Sequence, residues 1–205
     1  MLVGLTGGAG CGKTTVLKIF EELGWFTIDA DSLVHEIYRD EAIKDILRRR
    51  WGAGDITEIS GNIDREKIAE IVFNDKNELE WLESVLHPAV FERAEGIIKN
   101  CGKSHIMFDI PLLYEKNKAS IFDLIISVWA EKNIQHRRLT QRNWSIDDIK
   151  SRNSRQFSQG DKLERADLGI INSGSMDLLR EQCVILDKQI RTIQYGKKKS
   201  PARRP

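Results

Sequence analysis

The chain has 205 residues, 40% hydrophobic and 31% charged, with a formal net charge of +1. That length suits one domain with a proper core, and the charge balance excludes a globally basic nucleic-acid binder, leaving only local basic clusters to consider. No run approaches membrane-spanning length, Met1-Leu2-Val3-Gly4-Leu5-Thr6 runs straight into glycines without a basic n-region or cleavage site, and the widely spaced Cys11, Cys101 and Cys183 suggest neither a disulfide framework nor a C-x-x-C metal site, so a reducing, cytoplasmic location is expected.

Leu2–Thr6 is a near-continuous apolar run, the pattern of a strand covered on both faces. Lys13–Leu23 has helical periodicity, and Trp25–Ile28 reads as a second strand. Ser32–Tyr38, Glu41–Trp51, Arg65–Phe73 and Asn77–Lys99 are then helical with no strand among them, which predicts a helical insert over about residues 31–102. Strands return at His105–Ile110 and Asp123–Trp129. Two helices, Glu131–Arg142 and Ile146–Gln156, follow with a turn at Asn143-Trp144-Ser145, within a segment of about 131–165. Asp167–Ile171 is the fifth strand and Met176–Ile193 the last helix. Strands separated by helices predict an α/β fold with a parallel five-stranded sheet. A single domain over residues 1–195 is expected, its core drawn from about 1–30, 103–130 and 166–195. Residues 196–205 are basic, contain proline and lack apolar anchors, so a disordered tail is expected. Its charges could touch RNA or anionic lipid only weakly.

The segment Gly7-Gly8-Ala9-Gly10-Cys11-Gly12-Lys13-Thr14 satisfies G-x-x-x-x-G-K-[ST] and sits between a buried strand and an amphipathic helix. Gly8, Gly10 and Gly12 permit backbone turns that aim successive N–H groups inward as an anion nest, with Cys11 and Thr15 in the same stretch. The helix start adds positive dipole. Lys13 would then bridge the β- and γ-phosphates of a nucleoside triphosphate, and Thr14 would ligate Mg²⁺. The result is a three-layer P-loop NTPase fold. A chance glycine-rich turn is the blander reading, and the strand–helix context speaks against it.

The GTPase pattern is missing: Asp109 runs into Ile110-Pro111-Leu112, and Asn117-Lys118 precedes its strand instead of following it. Arg138 and Arg142 are one turn apart and expected to share a helix face, with Arg152, Arg155, Gln156 and Lys162 beyond. Such a basic pair of helices could close as a lid over a triphosphate, or be a solvated hairpin, since Asp147, Asp148 and Glu164 are interspersed. Asp29-Ala30-Asp31 lies at the carboxyl edge of the sheet, where Asp31 could orient an acceptor hydroxyl or, with Ser32, cap the next helix. Asp109 could hold Mg²⁺ through water or be a strand-end turn carboxylate.

An ordered set of residues resembles the dephospho-CoA kinase family from Leu5 to about Leu186. It comprises the glycine loop, Asp29-Ala30-Asp31, Gly61, Asp64-Arg65, Leu86-His87-Pro88 and Asp109-Ile110-Pro111-Leu112-Leu113-Tyr114-Glu115. Gln135, Arg138, Arg142, Arg152, Gln156, Lys162, Ala166-Asp167 and Asn172 complete it. The resemblance implies a P-loop core, a helical substrate-binding insert and a helical lid. It implies ATP as donor, Mg²⁺ as cofactor and the ribose 3′-hydroxyl of dephospho-coenzyme A as acceptor. On it, Lys13, Asp31 and Arg142 are expected to be catalytic, with Arg138 and Arg142 in the lid at ATP. Arg65, His87 and Pro111 are expected on the acceptor side. His87 could instead stabilise a kink before Pro88. No specific nucleic acid and no membrane partner are expected, and a monomer or weak homo-oligomer is. Another P-loop nucleoside or nucleotide kinase, or a nucleotide-regulated binding switch, are the competing readings. Cys11, Tyr114 and Asn143 depart from the family's usual Ser, Phe and Asp. A thiol at a helix N-terminus beside Lys13 is expected to ionise readily, unless it is an inert filler in Ser's place.

Overall fold

The computed structural model describes residues 1–58 and 60–193, with nothing stated of the Asp148 side chain; the basic tail lies outside the described residues. Five strands form one parallel sheet: β1 (Leu2–Gly7), β2 (Phe26–Asp29), β3 (Ile106–Asp109), β4 (Leu124–Trp129) and β5 (Leu168–Ile171), in the order β2-β3-β1-β4-β5. Register pairs Leu5 with Asp109 on one side of β1 and with Ile126 on the other. The chain winds one way from β1 to reach β3 and β2 and the other way to reach β4 and β5. β1 is thus the topological switch point, and a crevice for ligands opens at its carboxyl end.

The sheet is covered on both faces. One face packs against α1 (Lys13–Glu22) and α10 (Met176–Thr192), burying Val16, Phe20, Ile126, Leu179 and Ile190. The other carries Ile28, Phe108, Leu113 and Ile125 into a second core with the helices between β2 and β3. Those helices are α2 (Ala30–Ile37), α3 (Glu41–Trp51), α4 (Ala53–Ile56), α5 (Arg65–Asn74) and α6 (Lys76–Asn100). Strands buried on both faces need near-continuous apolar runs, which is why the five were visible in the sequence. Pro88 sits inside α6 without breaking it.

Beyond β4 come α7 (Lys132–Thr140), α8 (Ile146–Ser154) and α9 (Gln159–Arg165). The second helix of this region ends earlier than expected, and α9 is an addition. A capping box starts it: the Ser158 hydroxyl accepts from the Asp161 N–H while the Asp161 carboxylate accepts from the Ser158 N–H. The turn before α8 is also explained. Asn143 takes φ 61°, a left-handed conformation that asparagine, like aspartate, tolerates. No helix among the described residues is long and apolar enough to cross a membrane.

Candidate active site

The glycine loop turns between β1 and α1 as the motif requires. Gly12 has φ 99°, and a Cβ there would stand 2.1 Å from Asn172 Nδ2. Gly7 has φ 147°, and a Cβ would meet the Val128 carbonyl oxygen at 2.4 Å. Only glycine fits at either place. α1 begins at Lys13 with no side-chain cap, so its first N–H groups are left for an anion. Lys13 reaches back over the loop, its ammonium donating to the Gly7 and Gly8 carbonyls at 3.2 and 3.3 Å.

Side chains from α7 and from the residue after β5 brace the loop from behind. Asn172 donates to the Cys11 carbonyl at 2.8 Å. The Arg138 guanidinium donates to the carbonyls of Gly10 and Cys11, at 3.3 Å each, and to Asn172. Gln135 donates to the Ala130 carbonyl at 2.6 Å.

A cleft of about 310 Å³ opens in front. Gly10, Lys13, Thr14, Asp31, His87, Asp109, Pro111 and Arg142 all line it, which brings together eight of the residues singled out from the sequence. Gly8, Gly12 and Thr15 shape the turn without facing the cleft. Arg138, Arg65 and Cys11 are placed as follows. Arg138 is half-buried behind the loop, and it does not share a face with Arg142: α7 ends at Thr140, and the Arg142 N–H bonds to the Leu139 carbonyl in a tighter turn. The rule that residues four apart face the same way applies only inside the helix. Arg65 is exposed at the start of α5 and contacts the His35 ring, away from the cleft.

The expected reactivity of Cys11 is corrected. Its side chain is fully buried, and burial pushes the thiol pKa up, Lys13 opposing and Asp109 adding to the rise. A helix N-terminus activates a thiol that water and reagents can reach, and this one has no exposed surface.

Asp29, not Asp31, caps the next helix. Its carboxylate accepts from the Asp31 N–H at 2.9 Å and caps α2, so the Asp31 side chain is left exposed on the cleft wall. Asp109, at the end of β3, is only 4% exposed. Burial raises its pKa to about 7, eased by Lys13 and aggravated by Asp29 and Asp31. Its Oδ1 has no hydrogen-bond partner. For Lys13, burial alone would pull the ammonium down, but the neighbouring Cys11, Asp109, Asp31 and Asp29 reverse that, and the net shift is upward. A buried carboxylate with a free oxygen, beside an exposed threonine hydroxyl, suits Mg²⁺, which takes few protein ligands and keeps several waters. No group of three or more His, Cys, Asp or Glu among the described residues could cage a metal by itself, so the phosphates of a nucleotide would supply much of the coordination.

His87 is half-buried on the cleft wall. Burial lowers its pKa, Glu83 opposes this, and Lys116 and Lys118 add to the lowering, so its surroundings favour the neutral ring. Lys116, Lys118 and Trp144 were not singled out from the sequence. They line the cleft: Lys116 pairs with Glu83 at 2.5 Å, Lys118 lies 4.6 Å from the Phe91 ring, and Arg152 stacks 4.2 Å from Trp144. Lys116 and Lys118 reach the cleft through the turns of residues 111–118, which sequence periodicity does not reveal.

A braced glycine cradle at the switch point of a parallel sheet, with a carboxylate facing it across a cleft, defines a P-loop protein of the kinase type. Comparison with known proteins narrows this. The sequence profile of the dephospho-CoA kinase family matches residues 1–177. A dephospho-CoA kinase of Aquifex aeolicus is 37% identical over 177 residues, 85% of this chain and 90% of that protein. One of Geobacillus kaustophilus is 35% identical over 196 residues, covering 92% and 96%. A solved dephospho-CoA kinase from Campylobacter jejuni is 27% identical and superimposes with a TM-score of 0.68, covering 92% of this chain and 96% of that one. The chain belongs to the dephospho-CoA kinase family.

Proposed function

We propose that this chain transfers the γ-phosphoryl group of ATP to the ribose 3′-hydroxyl of dephospho-coenzyme A, giving coenzyme A and ADP. The observation that carries the reading is one cleft in which Lys13 and Thr14 of the cradle face the exposed Asp31 carboxylate. The cradle N–H groups and Lys13 hold the triphosphate. Asp31 accepts a hydrogen bond from the 3′-hydroxyl and aims its oxygen at the γ-phosphorus. As the new P–O bond forms, the bond to the β,γ-bridging oxygen breaks, and ADP leaves. In a loose transfer the hydroxyl proton departs late, toward Asp31 and then water. Arg142, exposed on the far wall, supplies a mobile guanidinium to the charge that spreads over the transferred group. Bound Mg²⁺ neutralises phosphate charge; the Thr14 hydroxyl would hold it directly and Asp109 through water.

The segments 31–102 and 131–165 are read as an acceptor-binding insert and a closing lid. The first cleft shares Leu112, Lys116, Arg152 and Gln156 with a second, of about 850 Å³, between α5, α6 and α8. Lys116 and Arg152 at that neck suit the diphosphate of the acceptor, and Val72, Phe73 and Leu79 beyond suit its less polar arm. His87, on the same cleft wall, would donate to or accept from the adenosine part. The free cysteines fit the reducing cytoplasm, and a monomer or weak homo-oligomer is proposed.

Coupled ADP release, measured with ATP, Mg²⁺ and dephospho-coenzyme A beside AMP, CMP, adenosine and no acceptor, tests this. Turnover is expected with dephospho-coenzyme A alone. Preference for another acceptor would keep the kinase and change its substrate; acceptor-independent turnover would instead indicate a switch protein.

A further inference from the structure

Lys162, on α9, has no exposed surface. Its ammonium donates to the Pro111 carbonyl at 2.6 Å and pairs with Glu115 Oε1 at 2.9 Å. Both acceptors are shared. The Pro111 carbonyl also accepts from the Thr6 hydroxyl at 3.3 Å, and Glu115 Oε1 also accepts from the Phe157 N–H at 2.7 Å. Three parts of the chain therefore meet at one ammonium: the end of β1, the segment after β3, and the junction between α8 and α9. Burial lowers the ammonium pKa against the pull of Glu115, so the arrangement carries a desolvation cost that an aliphatic residue would avoid.

α9 is fixed at a second point one turn earlier. Gln159 uses both ends of its amide on Ala130 at the end of β4, accepting from its N–H at 3.2 Å and donating to its carbonyl at 3.3 Å. Its Cγ would lie 2.8 Å from a Cβ on Gly8, so the helix rests against the cradle. α9 is thus clamped to the sheet on both sides of β1. α8 ends before that clamp, with Ile146 60% exposed.

We propose that Lys162 is a positioning residue for phosphoryl transfer: through the Pro111 carbonyl and Glu115 it sets the acceptor wall of the cleft against the cradle and fixes the root on which the lid closes. Pro111 and Leu112 line the cleft with Lys13 and Asp31, whereas Lys162 does not reach it. Its influence passes through the groups it holds. A wall displaced by about 1 Å costs up to about a hundredfold in rate when alignment is the main source of catalysis. This inference rests on the proposed transfer to dephospho-coenzyme A.

The test is the double variant Lys162→Met with Glu115→Gln. It removes both buried charges, keeps side-chain length and leaves an acceptor for the Phe157 N–H. Replacing a buried pair by neutral groups of similar volume often leaves stability unchanged. The expected result is a folded protein that binds Mg-ATP as the wild type does, with kcat/KM for dephospho-coenzyme A lowered about a hundredfold. Lys162→Arg is expected to restore most of it. Glu115→Gln alone carries the same comparison, with about a tenfold loss, should the double variant not fold. Unchanged kcat and KM at equal folded fraction would make Lys162 a structural staple and overturn the proposal. Lost Mg-ATP binding would show that it supports the cradle instead of the acceptor wall and overturn it too. If the wild type favours another acceptor, the functional reading fails, and the same variants measured with that acceptor still judge Lys162.

Discussion

The cradle and the helical walls facing it are built in opposite ways. In the cradle, carbonyls are pinned from behind by Asn172 and Arg138 and on the cleft side by Lys13, and two glycines admit no Cβ. On the walls, Asp31 and Arg142 are exposed, and charges pair at the surface along their own helix, as in Lys76–Glu80 and Lys99–Glu95 of α6. Such exposed pairs contribute little to stability. A rigid phosphate site with adaptable walls lets one geometry serve the transfer while the walls select and enclose the acceptor.

Substitutions can break this contrast. The largest effect is expected from Asp31→Asn, which should lower kcat by about 10²–10³-fold while Mg-ATP affinity, measured by titration, stays near wild type. Equal loss of ATP binding would move Asp31 to the phosphate side. Next come the two arginines, which the contrast separates. Arg142→Ala should lower kcat by about 10²-fold with an unchanged melting temperature. Arg138→Ala should lower the melting temperature and weaken ATP binding, because it frees the carbonyls of Gly10 and Cys11.

A smaller effect concerns Asp109. Its folded pKa of about 7 lies above that of an unfolded aspartate, so folding favours the protonated form. Its favourable contribution is therefore present in acid and is lost as pH rises toward and through 7. Asp109→Asn should stabilise the ligand-free protein at pH 8 by on the order of 2 kcal/mol, with the gain fading toward pH 4, although activity falls. Melting curves across that range check it; a gain that grows toward acid would refute the assignment. The smallest effect is on Cys11. In the native protein, mass-mapped thiol labelling should reach half-buried Cys101 well before Cys11. Rapid labelling of Cys11 would show the cradle to be looser than its hydrogen bonds imply.

The same contrast explains what the sequence disclosed. The five strands and the loop were legible because burial on both faces and a turn closed to side chains leave few residue choices. The walls were less so. α9 is seven residues long, contains Gly160, and announces itself only by Ser158 and Asp161. Lys162 reads as a surface residue in any hydrophobicity pattern, yet it is buried, because its partners Pro111 and Glu115 lie some fifty residues earlier in the chain. Arg138 and Arg142 looked equivalent because four-residue spacing was applied across a helix end. Asp31 was ambiguous until Asp29 was seen to provide the cap.

The most direct test of the central claim is the regiochemistry of the product. Dephospho-coenzyme A incubated with ATP, Mg²⁺ and this protein should yield a product carrying a new phosphomonoester on the ribose 3′-oxygen, detected by mass and by its phosphorus resonance, with one ADP per product. A phosphate on any other oxygen, or ADP formed without a phosphorylated acceptor, would contradict the account.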